Sequence, residues 1–152
     1  MYRKLLERAA EEQQAHQSRL QPPATIEQIE SLQLKAIEQL GMALPTEYTD
    51  FLKSTNGYAW NGVSLYPSEN STATGETAVL YGILEQNAVF LASRNYSEFI
   101  LIGEDNLDYY LYNTQSRQYE ARDRVPLDYA YETFGTFKDL AEYAINKSLG
   151  QT

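Results

Sequence analysis

The sequence predicts an α+β domain: a mainly antiparallel sheet with N-terminal helices and a C-terminal helix packed on it. Three observations predict this. Apolar residues recur at helical spacing near both ends of the chain. Between residues 63 and 122 they alternate or run together in short blocks. Turn residues separate those blocks closely enough for hairpins.

Taken in order, Tyr2, Leu5, Leu6 and Ala9 mark one face of a first helix, which fades through a polar stretch and stops at Pro22-Pro23. Thr25 with Gln28 forms a capping-box pattern for a second helix. Ile29, Leu32, Ala36 and Leu40 are its stripe and Gly41 its stop. Pro45 suits the first position of a third helix, with Tyr48, Phe51 and Leu52 as its apolar face and Asn56-Gly57 as its exit. Val63 and Leu65 then alternate as a strand, ended by Pro67. Residues 68–77 hold a single apolar residue and read as a mobile loop. Val79-Leu80-Tyr81 is a strand or a loop edge, and Leu84, Ala88 and Leu91 suit a short helix.

Phe99–Ile102 is the clearest buried strand. The acidic turn Glu104-Asp105-Asn106 leads into Tyr109–Tyr112, and Asn113–Ser116 turns into a third strand from Gln118 to Arg122. Two such close turns imply a meander. Thr136 caps a last helix bearing Phe137, Leu140, Ala141, Ala144 and Ile145. The sheet is expected to carry its helices on one face. Residues 1–152 form a single domain in this scheme, with residues 1–23 as an additional N-terminal helix. That helix packs on the sheet domain or on a second copy of the chain, as a homodimer.

Composition narrows function. With 152 residues the chain can bury a core without staples. It has no cysteine and one histidine, His16, which removes disulfides, thiolate metal sites and multi-histidine centres. No stretch resembles a signal peptide or a membrane span, so a soluble cytoplasmic protein is expected. The net charge is −9, divided as −1 over residues 1–41 and −8 over residues 42–152. Such a surface disfavours nucleic acid and attracts basic partners. Glu104, Asp105 and Asp108 could form an acid–base cluster, but acidic turns commonly serve solubility and turn geometry. Nucleotide-binding, nucleophile-elbow and zinc-protease motifs are absent. Trp60 follows Tyr58 in a loop-like setting between two Asn-Gly pairs. It serves either as a binding anchor or as a cover for the end of the sheet.

Several segments carry a family resemblance. Leu44-Pro45-x-x-Tyr48-x-x-Phe51-Leu52-x-x-x-Asn56-Gly57 resembles a signature of the SUKH superfamily, which includes fungal cell-wall assembly regulators. Ile29…Leu40-Gly41 looks like its first helix. Ile100-Leu101-Ile102-Gly103-Glu104-Asp105 with Asp108–Tyr112 is similar to its second signature, and Phe134-Gly135-Thr136-Phe137-x-x-Leu140 to its third. Leu84–Asn87 and the stretch from Tyr119 to Arg124 look like the YrhA-type branch.

The likeness runs from about residue 25 to 148 and leaves residues 1–23 uncovered. It implies an α+β fold and a non-enzymatic, cofactor-free binding role. Many bacterial members are immunity proteins that neutralise polymorphic toxins, including Rhs and type VI secretion effectors, often near a nuclease active site. The function expected is therefore antitoxin-like binding of a basic toxin domain, with Tyr58, Trp60, Glu104, Asp105 and Asp108 as the contact residues. The alternative is a regulatory scaffold for an endogenous partner, with an uncharacterised enzyme third.

Overall fold

Thr25 and Gln28 make both bonds of the expected reciprocal cap: the Gln28 N–H donates to Thr25 Oγ1 at 3.1 Å and the Thr25 N–H to Gln28 Oε1 at 2.8 Å. They open α2 (Ile26–Leu40), which Gly41 closes in a left-handed conformation at φ +80°. This is a computed structural model describing residues 2–72, 79–93, 98–125 and 127–150. Before α2 comes α1 (Arg3–Ala15), and after it α3 (Thr46–Leu52). Pro45 is the N-cap of α3 rather than its first helical residue. Tyr48, Phe51 and Leu52 are all fully buried, as their spacing implies.

The strands β1 (Tyr58–Trp60) and β2 (Val63–Leu65) form a hairpin around Asn61-Gly62, whose φ angles are +49° and +80°. Two consecutive positive φ values are what a two-residue hairpin turn needs, and Asn-Gly supplies them. Trp60 thus ends a strand and is not in a loop. Inside the stretch read as a loop, β3 (Ser71–Thr72) pairs with β4 (Val79–Leu80). Residues 73–77 of that stretch lie outside the described residues.

The meander follows as β5 (Phe99–Glu104), β6 (Asp108–Asn113), β7 (Gln118–Asp123) and β8 (Ala130–Phe134). All its pairings are antiparallel, and the six-stranded order is β1-β2-β5-β6-β7-β8. Phe99–Ile102 is therefore central and beside Tyr109–Tyr112, as expected. Gly103 sits where the β5–β6 register shifts, and a Cβ there would collide with the Ser64 carbonyl of β2.

The last helix, α5 (Phe137–Ser148), buries its whole predicted stripe. Thr136 caps it by accepting the Asp139 N–H. Its Phe137 ring meets Tyr48, Phe51 and Tyr119, and Tyr143 meets Tyr110 and Phe134. Contrary to the one-sided expectation, α4 (Ile83–Ser93) lies on the other side, with Phe90 edge-on to Tyr109. Tyr109 and Tyr110 point to opposite faces because side chains alternate along a strand.

The face of α4 also differs from the one predicted. Ile83, Asn87 and Phe90 are buried, whereas Ala88 and Leu91 are exposed. A polar residue supplies part of the seam: the Asn87 amide exchanges two hydrogen bonds of 2.8 Å with the Leu101 backbone, beyond the end of short β2. Those β5 groups would otherwise lack a partner. The first helix joins the same core through Tyr2, Leu6 and Ala9, with Tyr2 edge-on to Phe51 at 5.1 Å. Among the described residues, no helix is long and apolar enough to cross a membrane.

Candidate partner-binding surface

Four of the five candidate contact residues, Tyr58, Trp60, Asp105 and Asp108, gather on the α5 side around the β1–β2 hairpin, the β5–β6 turn and the end of α5, whereas Glu104, opposite Tyr109 in the ladder, lies on the α4 side. Most of their polar atoms are already engaged. Asp105 builds the turn itself. Its Oδ1 accepts the N–H groups of Leu107 and Asp108 at 2.8 and 2.7 Å, and its Oδ2 accepts the Tyr110 hydroxyl and Lys147 Nζ, each at 2.6 Å. Burial pushes the Asp105 carboxyl up, but Lys147, Tyr110 and the two backbone donors together outweigh it and hold it below the ordinary value. Asp108, 3.5 Å from Lys147, is shifted the other way, by burial first and then by the Asp105 charge. Asp105 and Asp108 are only 5% and 6% exposed. Asp105 and Asp108, which share the cation Lys147, are thus packed into a corner of the fold rather than presented as an open anionic patch.

Glu104 is partly exposed but also paired. It accepts the Tyr66 hydroxyl at 2.6 Å and meets Arg124 Nη1 at 2.9 Å, while the Arg124 guanidinium lies over the Tyr109 ring. Tyr58 is buried, with its hydroxyl 2.7 Å from Ser148 Oγ. Trp60 is half-buried. Its Nε1–H donates to Glu12 of α1 at 2.6 Å, and its ring meets His16 edge-on. So Tyr58, Asp105 and Asp108 offer little to a partner because burial and internal hydrogen bonds consume them. Trp60 and Glu104 keep part of their surface.

The open surface lies next to this corner. Leu107, Val125, Tyr129 and Tyr131 are 71, 73, 64 and 46% exposed. The Arg124 N–H donates to the Leu107 carbonyl, which brings the turn tip beside Val125. Asp123 accepts the Val125 N–H at 2.9 Å and the Tyr131 hydroxyl at 2.7 Å, and the Tyr129 and Tyr131 rings meet edge-on. Those two donors, the Val125 N–H first, hold the Asp123 carboxyl low. In turn Asp123 pushes the Tyr131 hydroxyl up to about 12, so it remains a donor across the physiological range. Asp128 and Glu132, both exposed, extend the acidic rim.

None of these four apolar residues was among the predicted contacts. Two signals were available: a leucine at the tip of an acidic turn, and tyrosines alternating at 129 and 131 ahead of Phe134.

On the other side of the molecule, a shallow cleft of about 290 Å³ runs between α2 and α4, with Lys35, Glu69 and Glu85 on its walls. Its lining mixes both charges. Among the described residues, no group of three or more His, Asp or Glu side chains could hold a metal ion.

The profile of the SMI1 / KNR4 family (SUKH-1) matches residues 23–142. No curated protein matches the chain.

Proposed function

The chain belongs to the SMI1 / KNR4 family (SUKH-1), and from that premise we propose that it is an immunity protein that binds and neutralises a basic toxin domain. The observation that carries this is the exposed group of Leu107, Val125, Tyr129 and Tyr131 beside Asp123, Asp128 and Glu132. Aromatic and aliphatic anchors within an acidic rim suit a basic protein surface. Family membership is compatible with the role, since SUKH proteins generally pair with toxin domains and are generally not enzymes. The toxin envisaged is a nuclease, whose own substrate requires a cationic face. On this reading the protein acts in the cytoplasm without a cofactor, and Trp60 and Glu104 contribute from the margin of the contact.

The test is binding to the toxin domain encoded beside this gene, over a salt series. Steering by the −8 field of residues 42–152 should make association fast at low salt and slower as salt rises. Failure of that domain to bind would shift the reading to a scaffold for an endogenous partner.

A further inference from the structure

We propose that β8 receives an extended, lysine- or arginine-bearing segment of the partner as a seventh strand of the sheet. This rests on the binding role proposed above and assigns it a place and a mode.

β8 ends the six-stranded sheet, and among the described residues its ladder partner is β7 alone. Such a strand presents a row of backbone donors and acceptors on its outer side. Natural edges are commonly blunted by charged side chains, lysine above all, by proline, β-bulges, extreme shortness or a covering element. β8 is five residues long and contains neither lysine nor proline; the devices it carries are one irregularity, at Tyr131, and one charge, Glu132, which discourages an acidic or like-charged strand but not a basic one. Tyr131, Glu132 and Thr133 are consecutive and all exposed, so the strand is open on both faces at its middle. The register against β7 shifts between Ala121 and Arg122, opposite Tyr131. That irregularity brings Tyr131 round to Asp123.

The rest of the edge is held firm from behind. Arg122 donates to the Leu127 carbonyl at 2.9 Å and pairs with Glu120 at 2.7 Å, and buried Leu127 anchors the β7–β8 connection. An added strand would therefore dock on a fixed template.

Charge selects the occupant. The approach to β8 and the strand itself, residues 123–134, hold Asp123, Asp128 and Glu132 against one cation, Arg124, which already meets Glu104. Pairing of β8 with a second copy about Glu132 would set like charges opposite each other, a destabilising arrangement. A basic segment meets opposite charge instead, and its apolar residues can cover Tyr129 and Tyr131. In such strand addition the main chain supplies affinity and alternate side chains supply selectivity.

The test uses three eight-residue peptides with the full chain: one alternating lysine and valine, one alternating glutamate and valine, and the first with two valines replaced by proline. The readout is amide hydrogen exchange, followed residue by residue. At ten times its Kd the lysine–valine peptide should slow exchange about tenfold at amides within 130–134. The glutamate and proline peptides should not. Absence of saturable protection there, or equal protection by the proline peptide, would overturn strand addition. The binding role is judged separately, by the neighbouring toxin domain. If that domain binds while the peptide leaves β8 unprotected, the edge proposal falls and the function stands. If the peptide protects β8 while the domain fails to bind, the reverse holds.

Discussion

The two edges of the sheet are finished in opposite ways. At one edge β1 has three residues, its Tyr58 is tied to α5 and its Trp60 to α1. At the other, β8 has five residues, and its three central side chains are exposed. The aromatic content is similar, but its use is not. At β1, tyrosine and tryptophan point into the fold and spend their polar tips on internal partners. At β8, Tyr129 and Tyr131 keep their rings outside and only one hydroxyl is tied down. The acidic residues divide the same way: Asp105 and Asp108 are consumed at the corner, while Asp128 and Glu132 face solvent. Residue type alone therefore does not mark a binding surface. What counts is whether the neighbouring element leaves the group uncovered.

This contrast can be broken at several strengths. The largest effect should come from removing residues 1–20, which strips α1 from the β1 side. Two large buried side chains, Tyr2 and Leu6, are lost at roughly 1.5–3 kcal/mol each. Denaturant titration should show a folded but weakened chain, and β1 should lose protection while β8 is unchanged. Full unfolding would place α1 in the indispensable core and remove its status as an addition. Next is Leu140→Ala in α5, the helix that seals the face shared by both edges. Leu140 is fully buried, so the loss should be roughly 2–5 kcal/mol; a value under about 1 kcal/mol would mean that the site behaves as surface.

The acidic corner gives a smaller effect with opposite signs at two neighbours. Asp105→Asn should destabilise by about 2 kcal/mol, since its charge-assisted bonds weaken. Its folded pKa is depressed, so the stability it provides is present above its unfolded value and is lost as pH falls through the folded one. Asp108 has a raised folded pKa. It costs stability at neutral pH, and that cost disappears as pH falls below its unfolded value. Asp108→Asn should therefore be neutral or stabilising at pH 7, with the gain shrinking on acidification. Melting curves across pH would check both; equal losses at pH 7 would show that the two carboxylates act alike. The smallest stability effect is expected at the open edge. Val125→Ser and Tyr131→Ser should each stay within about 0.5 kcal/mol by the same titration, as surface changes do, while weakening partner binding.

Much of the fold was legible because periodic burial leaves a periodic sequence. The α5 stripe, the capped start of α2 and the β5–β6 pair all follow from spacing and turn chemistry. β8 was missed for the opposite reason. An exposed edge strand needs no buried apolar stripe, so the strand shows only in the alternation of Tyr129 and Tyr131 ahead of Phe134. The α4 face was misassigned because Asn87 occupies a seam position that an apolar pattern skips, in order to satisfy the β5 backbone. The Asn61-Gly62 hairpin was within reach, since Asn-Gly between short β-prone segments is a strong turn signal.

The candidate site was legible as a region but not as a surface. The acidic turn was visible, but its engagement by Lys147, Arg124 and Tyr66 depends on contacts between residues distant in sequence.

The most direct test of the central claim is amide exchange of the full chain with and without the toxin domain encoded beside it. The account predicts the largest slowing of exchange at Leu107, Val125 and residues 129–133, with at most a small change at Trp60 on the margin. Protection gained instead around Trp60 and the hairpin, with β8 exchanging as in the free protein, would contradict it.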